Sequence, residues 1–430
     1  MSLQTIRSAA AMLVPWGERF AAAGGWRLYV VGGAVRSLLG GTPLGPDDEV
    51  DMTTDARPET VRRVLGGWAD TVWTQGERFG TVGCRRQNRI VEITTHRAEI
   101  YAEGSRRPKV TYGRDLLADL TRRDFTIGAM AFEVPATAEG AGTVELIDPF
   151  AGRDDLAAGR LRTPRSADLS FGEDPLRMLR AGRFVATLGL SADPDLEVAM
   201  RRLRGRLAIV SVERCTRELS LLLAAESPGA GAELLARTGV LDEIIPEVGH
   251  AGRNAGAGVA LLDSVAPEES LRLAALLWPV PDVTAVAGRL RFPGAVARRA
   301  GQIALAARSL LDSAGDGPGH AAVRRWAVDT GDACPAAAQL AAAAAPDDPG
   351  VVAFVDRWRQ LRSEEDLSAA SPLSGAEVMA HLGIDAGPAV GAALRHLEEL
   401  RIAAGPLDGG EARRRLSEWW ESGRENRGAG

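Results

Sequence analysis

The chain has 430 residues, is 45% hydrophobic, and carries 51 Lys and Arg against 57 Asp and Glu for a net charge of −6. That length supports two or more domains with real cores, and the absence of a long apolar run or of an apolar segment before a cleavage site predicts a cytoplasmic protein with no membrane partner. Cys84, Cys215 and Cys334 are too far apart for a zinc site or a disulfide framework, and a pI near 5.6 leaves nucleic-acid contact to local basic runs such as Arg201-Arg202, Arg298-Arg299 and Arg413-Arg414-Arg415.

Near the N-terminus, Leu28 to Val31 predicts a buried strand. Gly32 and Gly33 directly after it allow a tight turn and bring backbone N–H groups against a phosphate. Ala34 to Leu39 then predicts a helix whose N-terminus faces the same anion, with Arg36 as a charged fork. A Gly-Gly pair alone is equally an ordinary turn. In the next predicted strand, the two-residue period puts Glu49 and Asp51 on one face and Val50 and Met52 on the other. Two such carboxylates can share divalent metal, and magnesium prefers these hard oxygen ligands. After Pro46, Asp47-Asp48-Glu49 taken alone reads as a solvated acidic turn. Glu92 lies opposite the apolar face of Val91 and Ile93, either as a third acidic site residue or as a solvent-facing one, and His96 reads as structural.

Up to about residue 140, short β-rich runs alternate with helical stretches; beyond it the pattern is almost wholly helical. Breaks fall near Ser227-Pro228-Gly229, from Gly315 to Gly319 and from Pro346 to Gly350. Asp174 and Arg177, three apart, are predicted to project from one face of a helix. A carboxylate there accepts from an exocyclic amino group while a guanidinium donates to a ring nitrogen or carbonyl. Cytosine and adenine satisfy both, whereas uracil and guanine set a donor against the arginine. An ordinary helix-surface ion pair would use the same two residues. The chain after Gly423 is expected to fray.

Taken in order, these motifs resemble the class II template-independent nucleotidyltransferases, the family of bacterial CCA-adding tRNA nucleotidyltransferases and poly(A) polymerases. The resemblance continues through Gly76 to Val82, Val91 to Thr95 with Arg97, and Tyr101 to Val110, which is similar to a flexible loop of that family. Arg122-Arg123-Asp124-Phe125-Thr126 resembles its second signature, followed by Asp148-Pro149-Phe150, by Glu173-Asp174-Pro175-Leu176-Arg177 with Arg180 and Arg183-Phe184, and by Glu213-Arg214 with Glu218. Gly375 to Met379 and Leu382 to Gly391 are similar to the closing helical element of longer members.

The resemblance implies an α+β fold: a nucleotidyltransferase head with a small mixed sheet at 1–140, a base-selecting helical neck at 141–225, a helical body at 226–345 and an RNA-binding helical tail at 346–430. It implies CMP and AMP addition to the 3′ end of tRNA from CTP and ATP, with Mg2+ and with no DNA partner; A-only or poly(A) addition, or a weakened RNA-binding paralogue, stay open. Glu49 and Asp51 would hold the metal, and Gly32, Gly33 and Arg36 the triphosphate. Arg123 and Asp124 would hold phosphate and sugar, and Asp174 and Arg177, with Arg180 and Arg183 beside them, the base. Three positions depart from the family pattern: Ser37 and Glu49 replace aspartates and Gly128 an asparagine. Leu271 to Leu277 resembles the helix leading into an HD phosphohydrolase element, but Trp278-Pro279-Val280-Pro281 stands where its His and Asp ligands belong, so no phosphohydrolase is expected there.

Overall fold

A computed structural model describes residues 3–77, 80–100, 109–249, 256–315, 317–367 and 371–428. Residues 78, 79 and 101–108 of the motifs named above therefore lie outside the described residues. The chain divides into two compact units, Met1–Gly249 and His250–Gly430.

The strands of the first unit are β1 (Leu28–Val31), β2 (Val50–Thr54), β3 (Thr71–Trp73), β4 (Thr81–Arg86), β5 (Arg89–Thr95), β6 (Arg97–Ile100), β7 (Lys109–Tyr112), β8 (Ala131–Glu133), β9 (Arg160–Leu161) and β10 (Ser191–Ala192). Six of them form one mixed sheet in the order β3-β4-β5-β2-β1-β8, while β6 pairs with β7 and β9 with β10. All four residues of β1 are buried, as an apolar run inside a covered sheet requires. β2 runs antiparallel to β1 and parallel to β5, and that parallel register sets Asp51 beside Glu92.

One sequence expectation needs correction here. β2 begins at Val50, so Glu49 stands on the preceding loop rather than in the ladder. Pro46 has no N–H for a ladder, and the Asp48 carboxylate accepts from the Gly45 N–H at 2.7 Å, closing the turn ahead of the strand.

The helices of this unit are α1 (Gln4–Ala22), α2 (Gly33–Leu39), α3 (Pro58–Leu65), α4 (Leu116–Thr121), α5 (Ala138–Ala141), α6 (Gly152–Ala157), α7 (Ala167–Glu173), α8 (Arg177–Leu188), α9 (Pro194–Leu203), α10 (Val212–Leu223), α11 (Pro228–Arg237), α12 (Val240–Ile244) and α13 (Pro246–Gly249). Ile6, Leu13 and Phe20 of α1 share one core with Val30, Met52, Val91 and Ile93 of the sheet. Asp174 and Arg177 are not on one helix, contrary to the spacing argument. Asp174 ends α7 in an extended conformation (φ −134°, ψ 98°), because the residue before Pro175 is excluded from the helical region, and Arg177 opens α8.

The second unit is helical throughout its described residues: α14 (Ala257–Leu261), α15 (Glu269–Leu276), α16 (Val283–Arg289), α17 (Gly294–Ser313), α18 (His320–Thr330), α19 (Cys334–Ala344), α20 (Pro349–Glu364), α21 (Gly375–Leu382), α22 (Pro388–Ala404) and α23 (Gly409–Gly428). The Trp278 to Pro281 turn after α15 is fastened by the Arg308 guanidinium, which donates to the carbonyls of Trp278 and Val280 at 2.7 Å each and of Pro281 at 3.0 Å. The stretch after Gly423, expected to fray, continues as helix to Gly428. No helix among the described residues is long and apolar enough to cross a membrane.

α8 and α11 approach so closely that a β-carbon on Gly231 would lie 2.2 Å from the Gly182 carbonyl oxygen and 2.9 Å from Ala186 Cβ. Gly231→Ala must push the helices apart, and we expect a loss of about 1–3 kcal/mol in thermal or denaturant unfolding.

Candidate active site

A cavity of about 960 Å³ opens in the first unit, with carboxylates on one side and arginines on the other. The acidic side is Asp48 and Glu49 from the loop before β2, Asp51 from β2 and Glu92 from β5. Asp51 is reachable by solvent yet enclosed by protein on most sides. This desolvation pushes its pKa up, and Arg123 offsets only part of the rise. The Glu92 carboxyl is likewise raised by burial and then by Asp51 and Glu49. The three charges thus repel one another across a small space without a protein cation to neutralise them fully.

Gly32 joins this edge to the arginines. At φ 69° and ψ −131° it adopts a conformation that suits glycine alone, and a β-carbon would point between Arg123 Nη1 at 3.6 Å and Asp51 Oδ2 at 3.7 Å. Arg123 is anchored by Asp119, whose buried carboxylate also accepts from Arg122 at 2.5 Å. Arg123 Nε is nevertheless buried with no partner in the structure. The Arg36 side chain of α2 forms no ion pair or hydrogen bond among the described residues. Burial pushes its pKa down, Asp124 pulls it up, and Arg183 and Arg180 push it down again.

Arg36, Arg180 and Arg183 surround the Phe184 ring at 5.4, 5.5 and 4.3 Å from its centroid. Two carboxylates hold them there. Asp124 accepts from Arg180 Nε at 2.8 Å, and Glu218 of α10 accepts from Arg180 at 3.1 Å and from Arg183 at 2.7 Å. Burial raises the Asp124 carboxyl, but Arg180, Arg177 and the Phe125 N–H more than offset it and hold the pKa below the usual range.

Asp174 and Arg177 do not line the cavity. Asp174 Oδ2 accepts from Arg214 of α10 at 2.9 Å, while the buried Arg177 donates to Ser170 Oγ at 2.8 Å and to the Arg122 carbonyl at 2.6 Å. Ser37 and Gly33 line the cavity; Gly128 does not, and a β-carbon on it would lie 3.4 Å from Asp124 Oδ1. His96 is buried against Tyr29, and neither ring nitrogen has a partner. The sequence reading missed Asp119, whose spacing three and four before Arg122 and Arg123 marks it as their anchor, and it missed Arg217 and Leu221, which share a helix face with Arg214.

Of the basic runs, Arg201 and Arg237 pair with Glu197, Arg202 with Asp168, Arg204 with Glu243 and Arg299 with Asp332. In α23, Arg413 pairs with Glu377, and Arg414 and Arg415 with Glu411. These runs are largely neutralised from within.

No group of three or more His, Cys, Asp or Glu among the described residues forms a metal cage by itself. The donor set nevertheless fits a hard divalent cation. Magnesium binds through one or two carboxylates and keeps its other positions for water and substrate phosphate, which the Glu49–Asp51 edge and the open cavity beside it supply.

Residues 28–162, which supply Asp48, Glu49, Asp51 and Glu92 to the cavity, match the model of the Poly A polymerase head domain. That stretch is similar to the head domain of this family. Residues 189–251 match a second model, the probable RNA and SrmB-binding site of polymerase A. A CCA-adding enzyme of Geobacillus stearothermophilus is 39% identical over 257 residues, 59% of this chain and 56% of that protein. One from Geobacillus thermodenitrificans (strain NG80-2) is 39% identical over 229 residues, 53% of each chain. The chain thus matches about half the length of these curated relatives. Among solved structures, the Bacillus stearothermophilus CCA-adding enzyme in complex with CTP superposes with a TM-score of 0.72 at 28% identity, covering 97% of this chain and 98% of that one.

Two outcomes follow from the charges. Glu218→Gln leaves Arg180 and Arg183 with half their counter-charge in a buried setting, and unfolding should show a loss of about 3 kcal/mol. Asp51 behaves oppositely. Its folded pKa lies above the unfolded value, so stability is lost as pH rises through that window, and its charge costs stability at neutral pH. In chelator at pH 7, Asp51→Asn should melt higher than the natural chain. The difference should shrink as pH falls toward the unfolded aspartate pKa of about 3.9.

Proposed function

We propose that the chain is a template-independent nucleotidyltransferase that adds CMP and AMP to the 3′ end of tRNA, drawing on CTP and ATP. The observation that carries this reading is the cavity, where the poorly neutralised carboxylates of a stretch similar to the poly(A) polymerase head domain face the arginines of α8 and α10. The similarity to CCA-adding enzymes, one of them solved with CTP, favours CCA addition over poly(A) synthesis. A cytoplasmic setting accords with three buried, unpaired cysteines.

In this reading Glu49 and Asp51 would hold Mg2+, which when bound lowers the pKa of the primer hydroxyl and neutralises the leaving phosphates. Gly32 and Gly33 let the triphosphate approach the backbone, because no side chain fills the space between Arg123 and Asp51. Arg36 offers an uncommitted guanidinium to the phosphate oxygens, and Arg123 offers its orphan Nε–H. Asp124, fixed by Arg180, accepts from a sugar hydroxyl. The 3′ oxygen of the RNA attacks the α-phosphorus, a P–O bond forms, and the bond to the β-phosphate breaks to release pyrophosphate. Base selection falls to Asp174 and Arg177, with Arg180 and Arg183 beside Arg177 on α8. Asp174 must then exchange Arg214 for the exocyclic amino group of cytosine or adenine. The division into head (1–140), neck (141–225), body (226–345) and RNA-binding tail (346–430) belongs to the same proposal.

Purified protein given tRNA lacking its CCA end, magnesium and each nucleotide in turn should add two C and then one A. A-only runs would indicate an A-adding or poly(A) enzyme, and bound but unextended tRNA a binding paralogue. Asp51→Asn should cut extension at least a hundredfold, as misplacing the reacting groups by about 1 Å already does. Gly128→Asn places its β-carbon in ordinary contact and should leave melting unchanged while lowering the KM for nucleotide.

A further inference from the structure

Four arginines of α8 and α10 line the cavity: Arg180, Arg183, Arg214 and Arg217. The first two are held by Glu218 and the third by Asp174. Arg217 alone of the four has no ion pair or hydrogen bond to its side chain among the described residues. It is exposed, whereas its neighbour Glu218 is 6% exposed and turned toward Arg180 and Arg183, so the two side chains diverge. Leu221, one turn farther along α10, is 42% exposed and also lines the cavity. Positions 214, 217 and 221 fall on one face of the helix.

We propose that Arg217 and Leu221 form a subsite for the single-stranded 3′ end of the RNA acceptor, with Arg217 on a backbone phosphate and Leu221 under a base or sugar. This rests on the proposed nucleotidyl transfer. A free guanidinium one helical turn from an exposed apolar side chain matches the two halves of a nucleotide, its phosphate and its less polar remainder. The triphosphate has its own candidates in Arg36 and Arg123, which lie on other elements. The cavity, at about 960 Å³, also reaches the upper end of the ~300–1,000 Å³ that enclose one small ligand, which leaves room for a second occupant.

The test is an Arg217→Gln variant of the full chain, with Leu221→Ser as a second variant and melting temperature as a folding control. Binding of a stem-loop RNA with a short single-stranded 3′ end is followed by fluorescence anisotropy across a salt series, and steady-state extension by product length. We expect Arg217→Gln to weaken RNA binding about tenfold, the loss of one charge-assisted contact, and to lower the slope of log K against log salt by about 0.7. KM for RNA rises in parallel while KM for CTP and ATP stays put. A rise in nucleotide KM with unchanged RNA binding would overturn the proposal and assign Arg217 to the triphosphate. Unchanged RNA binding with unchanged nucleotide KM, in a natural chain that extends RNA, would overturn this subsite alone. A natural chain that neither binds nor extends RNA would overturn the proposed function with it.

Discussion

Glu218 holds Arg180 and Arg183 with a single buried carboxylate, and the arrangement of the cavity depends on that clamp. Removing charged groups from water costs several kcal/mol per ion unless partners are supplied with good geometry, and α10 supplies this one from a segment distant in sequence. With the two arginines fixed, Phe184 presents its ring to three guanidiniums and Asp124 is drawn into line by Arg180. The head's second signature is thereby tied to the helices that follow it. Arg36 is left without a carboxylate of its own, at the cost of desolvating a cation among cations.

The opposite edge of the cavity shows the same pattern with the sign reversed. Asp51 and Glu92 are brought side by side by parallel strand register, and Glu49 adds a third charge from the loop. A fold selected for stability alone would have paired or dispersed these groups. Poorly neutralised charge of one sign facing charge of the other is what a triphosphate and a hard cation would relieve together, and its cost in the free chain is of the kind functional sites carry.

The departures from the family pattern look less disruptive once placed. Glu49 is longer than aspartate, but it sits outside the ladder, so strand register does not fix its reach. Gly128 adjoins Asp124 with room for a side chain, and Asp124 is held instead by Arg180 and the Phe125 N–H. Ser37 faces the cavity from α2, where no described partner depends on a carboxylate.

The sequence by itself determined what is local. The apolar run of β1, the glycines after it, the carboxylates flanking Val50 and the change to helix past residue 140 follow from composition and period, because each is set by a few adjacent residues. Tertiary structure decided what those residues meet. The Asp174–Arg177 spacing suggested one helix face, but Pro175 broke the helix and gave Asp174 to Arg214 and Arg177 to Arg122 and Ser170. Of the basic runs that suggested an RNA surface, Arg202, Arg204 and Arg299 proved paired with acids from other elements. Whether a charge is spent or free depends on partners tens of residues away, and no periodicity in one chain records that distance.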